Sequence, residues 1–562
     1  MRTPTQRQKP RTSELAAFPA PRNGWVSNLN LAQPQAKNAD GTNVSGAAVL
    51  DNMFPTATGV RLLRGSELYA TLGEGDKPTL SLFAYINGTV EQMFGATEDA
   101  IYDITTILIP YNYEIATEDD EPLETDTGDT FGEDSTIGLE VLEATVGGDW
   151  IVVQFATAGG TFLRGVNGED TPFVYDGVTF EETPALTFAA PDAALTPDIL
   201  FYVWAYKQRL FFLQKNSLNA WYLPVDVIGG ELKKLPLGGV FGLGGSILFG
   251  ASWSTDAGEQ GGLSEQCIFV TTEGEVAVFQ GANPSSADDW NKVGVYRIGR
   301  PLGKQAWIRD GGDLIIATSI GYVRLSEAIN RELAALGPTA VSYPIEVAWN
   351  EAVDRRGSNW HCEVWPSKQM AVIALPTAGE EPAAMFLANV RTGAWCRRLN
   401  WDGRCLLVFK ERLFFGSEDG KVVEANVSGL DQGEIYTGVC VPLFDDLGSP
   451  ASLKIAGLAR VVGLAPVGVK TTVSMQVDYF VSLPSPPNAA PIPVGSEWGN
   501  AIWGTSVWGA AREMKPRQEW VSVGGSGYAF SPAFQITSGS VVALDYELIR
   551  IEASYQTAEI IT

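Results

Sequence analysis

The side chains that could do chemistry in this 562-residue chain are few and scattered. Any imidazole relay must use His361, the one histidine, which stands beside Cys362 in the run Asn-Trp-His-Cys-Glu-Val-Trp (359–365). No G-x-S-x-G elbow supplies a nucleophile for it, so a Ser-His-Asp or Cys-His relay has no visible frame. His361 reads as a histidine packed on a strand. The glycine-rich run 238–245, GGVFGLGG, lacks the lysine and the strand-to-helix context of a phosphate cradle. Cysteines 267, 362, 396, 405 and 440 form no C-x-x-C pair, which predicts reduced, buried thiols and neither a disulfide framework nor a zinc site. The reading assigns no catalytic residue, no cofactor-binding residue and no metal ligand.

Charge narrows the function classes further. Lys+Arg 39 against Asp+Glu 66 gives a formal charge of −27, which repels phosphate and argues against a protein that clamps nucleic acid. Part of the excess is local. Residues 118–134, EDDEPLETDTGDTFGED, carry nine carboxylates, among them Glu118, Asp119, Asp120, Glu121, Glu124 and Asp126, and no base. The D-x-[DN]-x-[DN]-G calcium spacing is absent, so this acidic loop reads as a solvated insertion. The basic start (Arg2, Arg7, Lys9, Arg11) has no apolar core of a secretory signal, and no window approaches 18 uninterrupted apolar residues, so no membrane span is expected.

The elements that must position these residues are strands. Residues 405–427, CLLVFKERLFFGSEDGKVVEANV, read as strand, tight polar connection, strand, Ser-Glu-Asp-Gly turn and closing strand. Weaker copies recur. Residues 80–104 carry an Asn87-Gly88 turn, the strongest short hairpin signal because a type I′ turn needs positive φ twice. Further copies lie at 150–180, 200–223, 267–279, 314–325 and 385–397. Each unit alone cannot bury its faces, and uneven spacing favours radial packing over a solenoid. The expected fold is all-β: a six-bladed β-propeller over 78–430, with an acidic insertion near 114–148 and a loop insertion near 226–262. The stretch 405–427, its last copy, is expected to close the ring against residues 60–85. One helix is expected, at 326–336, ended by Gly337-Pro338.

Residues 1–77 read as an extended arm that contributes to a platform. Residues 431–562 read as a separate β-sandwich-like platform domain, with strands at 453–462, 471–480, 519–523 and 544–553. Inside it, EWGNAIWGTSVWGA (497–510) places Trp498, Trp503 and Trp508 five residues apart, which fits one face of neither a strand nor a helix. Intramolecular pockets for the indoles are the first reading. A subunit interface is the second, with Trp25 and Phe54 of the arm as further anchors.

The order of NGWVSNLNLAQPQ (23–35), GAAVLDNMFPTATGVRLLRGS (46–66), the 82–104 hairpin and the Trp-Gly repeat resembles tail proteins of short-tailed bacteriophages and related prophages. These are the tail tube or nozzle proteins, whose class includes the packaged-DNA stabilisation proteins. The resemblance implies a structural virion protein, not an enzyme, made in the bacterial host cytoplasm and needing no cofactor. It implies a homo-hexamer below the portal and its adaptor ring, with adaptor proteins and tail fibres as partners. Double-stranded DNA would be retained and then conducted without sequence-specific binding. Two alternatives stand beside it. A receptor-binding tail fibre or spike component would show collagen-like, coiled-coil or β-helical runs, and none is visible. A propeller glycoside hydrolase would need two carboxylates about 5 to 10 Å apart across a sugar cleft.

Overall fold

Turn chemistry sets the repeating unit. In the computed structural model, which describes residues 13–28, 30–32, 45–88, 90–105, 138–256, 263–377, 382–466, 469–489, 515–517 and 519–557, Ser81–Asn87 pairs antiparallel with Val90–Ala96. Gly88 between them sits at φ +61°, a conformation glycine adopts without strain. Six small sheets repeat this meander as propeller blades. In chain order they span 81–143, 151–181, 186–236, 247–297, 307–324 and 405–428, the last with a strand borrowed from 65–71.

Strands of successive sheets touch one another around a closed circuit, mostly the first of each sheet, with Leu200–Tyr206 in the third blade and Asp313–Thr318 of the fifth blade meeting Ile247–Asp256. Between the blades 307–324 and 405–428 the circuit passes through four strands, 361–399, that are not free-standing. They form one end of an eight-stranded sheet whose other end belongs to the platform. The six-blade expectation corresponds to the six free-standing sheets, and the ring is completed by this shared sector.

Ring closure falls where expected. Lys421–Ser428 pairs antiparallel with Gly65–Thr71, so a strand from before the first blade finishes the last one. Gly65 is required there by close approach: a Cβ at this position would lie 1.8 Å from the carbonyl oxygen of Leu430. Closure of this kind ties the two ends of the ring together and removes a sheet edge.

Three expectations need correction. The region 226–262 is not a loop insertion, because Gly230–Pro236 is a strand of the third blade and Ile247–Asp256 opens the fourth. The interval 114–148 likewise ends in a strand, Leu139–Glu143, at the outer edge of the first blade. Leu139–Glu143 carries exposed Glu140 and Glu143 at its blade's edge, the polarity that protects an edge from further pairing. Gly230–Pro236, with exposed Glu231, Lys233 and Lys234, lies inside its sheet between Asn219–Tyr222 and Leu186–Phe188. That same polarity makes them look like loops. The expected helix breaks after Leu325–Asn330, where Arg331 turns extended, and resumes only as a 3₁₀ turn at Leu333–Ala335.

A second helix, Glu346–Arg356, carries only Trp349 and Ala352 as buried residues, too few to mark a helical period in sequence. Trp349 Nε1 donates to the carbonyl of Thr318 at 2.9 Å, and its ring packs on Trp360 and Phe386.

The arm folds onto its own chain. Glu14–Pro19 pairs with Glu547–Thr557, and Ala47–Asp51 pairs with Tyr436–Pro442. The platform is one eight-stranded sheet together with the strands Ala47–Asp51, Tyr436–Pro442, Phe530–Ser538 and Thr471–Val477 of the other. Val461, Leu548 and Ile551 of one share a core with Cys440, Phe534 and Ile536 of the other. Strands Lys454–Ala465, Thr471–Val477 and Glu547–Thr557 lie close to the sequence reading, while Phe530–Ser538 went unread.

Candidate functional site at the propeller axis and the ring closure

Among the described residues, polar groups converge at the face where the first strands of the blades begin. Lys304 precedes the blade 307–324 and Asp149 precedes the blade 151–181, sheets that are not neighbours in the circuit. Their side chains meet at 2.9 Å, and Lys304 Nζ also donates to the Asp149 carbonyl at 2.9 Å. The pair therefore spans the mouth of the axis. Beside it lies a cavity of about 290 Å³ lined in part by Glu98, Asn167, Glu169 and Lys215. Its charges are already satisfied internally: Lys215 Nζ pairs with Glu169 at 3.0 Å, Glu98 with Lys77 at 3.5 Å and Lys304 with Asp149, while Asn167 Nδ2 donates to Asp170 at 2.7 Å.

The nearby groups that could react are held in unreactive states. His361 begins the first strand of the shared sector and is buried. Burial pushes its pKa down to about 4, so its imidazole is neutral and Nδ1 accepts the Leu406 N–H at 3.2 Å. The Cys405 thiol is pushed up to about 12 by burial, and the Cys362 thiol is also pushed up. All five cysteines are buried and unpaired. A thiolate–imidazolium couple needs both shifts to run the other way. Glu363 is raised to about 7, with burial as the main cause and no second carboxylate contributing. Two carboxylates pushed apart by their surroundings would mark an acid–base pair. Glu363 stands without such a partner. No group of three or more His, Cys, Asp or Glu residues positioned for a metal ion occurs among the described residues.

The second polar cluster is at the ring closure. Arg398, fully buried, meets Asp431 at 3.1 Å, though without hydrogen-bond alignment. Asp431 Oδ1 accepts from Ser66 Oγ at 2.5 Å and from Trp401 Nε1 at 3.0 Å. The guanidinium lies 4.7 Å from the Trp401 ring centroid and 4.6 Å from that of Tyr436. Arg398 comes from the shared sector, Ser66 from the closing strand and Tyr436 from the platform. One buried charge cluster thus joins ring, clasp and platform.

No family model matches the chain, and no curated protein matches it. Among solved structures the chain is similar to the computationally designed Ika8 protein, at 10% identity over 64% of this chain and 100% of that chain, with a TM-score of 0.33. It is also similar to BBS1N in a complex with ARL6DN, at 8% identity over 62% of this chain and 78% of that chain, with a TM-score of 0.25. Scores this low carry no argument about function.

The residues singled out in sequence are not brought together. Trp25 and Phe54 are buried in the chain's own core, where Trp25 packs on Phe386 and under the Arg397 guanidinium. Trp498, Trp503 and Trp508 lie outside the described residues, as do Glu118, Asp119, Asp120, Glu121, Glu124 and Asp126. Sequence reasoning missed Lys304, Asp149, Arg398 and Asp431. No local motif marks any of them, because each meets its partner only after the ring has closed.

Proposed function

We propose that this chain is a structural virion protein of a short-tailed phage tail, a ring or nozzle below the portal adaptor that retains packaged DNA and conducts it during ejection. The observation that carries the reading is the union of propeller and platform. A sheet running from one into the other, locked by the buried Arg398–Asp431 cluster, suits a subunit that bears load between partners. The unreactive state of His361 and the thiols fits a role without catalysis.

The axis of one propeller cannot pass a duplex, since Lys304 and Asp149 meet across its mouth at 2.9 Å. The conducting channel of the proposed assembly lies between copies, with the hexamer of the resemblance as the expected form. An excess of 27 negative charges per chain would keep DNA from adhering to its wall. Negative-stain electron microscopy of the purified full-length protein tests this. The expected particle is a six-fold ring with a central channel. A population of monomers at micromolar concentration, with no ring formed on addition of phage tail adaptor, overturns it.

A further inference from the structure

A cavity of about 180 Å³ at the seam between the platform and the shared sector is lined by four basic residues, Arg61, Arg64, Lys368 and Arg391, and by one acid, Asp545. In a chain of net charge −27 this local reversal of sign is unexpected. Asp545 is already committed: both of its oxygens are held by Arg64, at 2.9 and 3.0 Å from Nη2, with Nε at 3.1 Å. Glu547, opposite Arg61 in strand register, accepts from the Thr58 hydroxyl. Among the described residues, Arg61, Lys368 and Arg391 have no carboxylate within ion-pair distance.

Two of these cations sit on or beside anchored groups without being neutralised. Asn389 Oδ1 accepts the backbone N–H groups of Arg391 and Thr392 at 3.0 and 3.2 Å, while its Nδ2 donates to the Pro55 carbonyl at 3.0 Å. The Arg391 turn is thereby pinned to the platform side of the cavity. Lys368 ends a 3₁₀ turn, with its ammonium 5.8 Å over the Trp365 ring. Asn426 Oδ1 accepts the Arg64 N–H at 2.8 Å. The basic groups thus come from separate segments around one concavity, and the backbone carrying Arg64 and Arg391 is pinned by side-chain hydrogen bonds, which favours preorganised anion recognition.

We propose that this cavity is a docking site for an acidic peptide segment of a partner protein. Its volume suits one or two carboxylate side chains and is too small to follow a duplex. A long polyanion would also meet the repulsion of the whole chain, whereas a short acidic segment brings few charges and engages only the local field.

Fluorescence anisotropy of a fluorescein-labelled hexaglutamate peptide against the full-length protein tests the site. Saturable, salt-sensitive binding is expected, weakened about tenfold by Arg61→Glu, Lys368→Glu or Arg391→Glu. All three side chains are exposed, so the variants should melt like the parent. Lys292→Glu, the same charge change on an exposed strand far along the ring, is expected to bind as the parent does. The proposal fails if no saturable binding occurs or if Lys292→Glu weakens binding as much as the cavity variants. It fails equally if inorganic phosphate or a DNA duplex displaces the peptide at equal charge concentration.

Discussion

Replacing Asp431 by Asn tests how the ring closure is held. The substitution preserves shape and leaves an amide oxygen to accept from Ser66 and Trp401, so it removes little besides charge. Arg398 then stays fully buried with no counter-charge, and a guanidinium cannot shed its proton to escape. Breaking a buried pair from one side costs about 3 to 5 kcal/mol. Stacking on Trp401 and Tyr436 persists in the variant and offsets up to about 2 kcal/mol of what an isolated cation would suffer, which places the expected loss near the lower bound, about 3 kcal/mol. Urea unfolding followed by tryptophan fluorescence and far-UV circular dichroism reads the change as a lower midpoint, with Trp401 reporting from the site itself. The double variant Arg398→Met/Asp431→Leu should recover most of the loss, since two apolar side chains escape the desolvation that both charges suffer. An Asp431→Asn protein within about 1 kcal/mol of the parent, or a double variant no more stable than the single one, refutes the reasoning.

Two residues apart in one strand, His361 and Glu363 should make opposite contributions to the pH dependence of stability. The folded His361 pKa, about 4, lies below its unfolded 6.5, so its contribution is full above 6.5 and is lost as pH falls toward 4, by about 3 kcal/mol in all. The folded Glu363 pKa, about 7, lies above its unfolded 4.5, so its contribution is full below 4.5 and is lost as pH rises through 7. Urea midpoints from pH 4.5 to 7 should therefore rise on acidification in His361→Gln relative to the parent, and fall in Glu363→Gln; parallel curves for all three proteins contradict the burial argument. Gly65→Ala should loosen the clasp by about 2 kcal/mol through the clash with the Leu430 carbonyl, seen as faster hydrogen exchange over 405–428; unchanged protection there rules it out. The five buried thiols should resist iodoacetamide in the native protein and all react in urea, as intact mass reports; alkylation under native conditions would contradict their burial.

The blades were legible because their signals are local. Asn87-Gly88, Ser417 to Gly420 and the apolar runs that flank them state hairpin geometry within a few residues, and the 405–427 stretch even implied its partner, since an unpaired final strand needs one. Some turns were less explicit. Lys207-Gln208 and Lys410-Glu411 reverse the chain with both residues at positive φ and no glycine, and they were found only through the strands on either side. The edge strand Leu139–Glu143 was lost because what protects an edge is charge, and charge also marks loops; Gly230–Pro236, inside its sheet, was lost because Glu231, Lys233 and Lys234 interrupt its apolar pattern. The axis and closure clusters could not be read at all. Arg398 and Asp431 are separated by the whole last blade, and Lys304 and Asp149 by three whole blades, so their pairing is a property of the closed ring.

That dependence also sets how the ring comes apart. In a free-standing propeller, blades separate one by one when the clasp opens, because each shares only an interface with its neighbours. Here the sector 361–399 is held twice: by blade contacts on either side, and by strand pairing to Ala47–Asp51, where Arg397 grips Asp51 with two hydrogen bonds of 2.8 and 2.9 Å. The strand Ala47–Asp51 then pairs into the platform, and the segment that follows it becomes the clasp strand Gly65–Thr71. Pulling the clasp away therefore strains the platform sheet, and separating the platform strains the clasp. Ring opening and platform detachment are thereby coupled, since neither can proceed without breaking strand pairing that the other depends on.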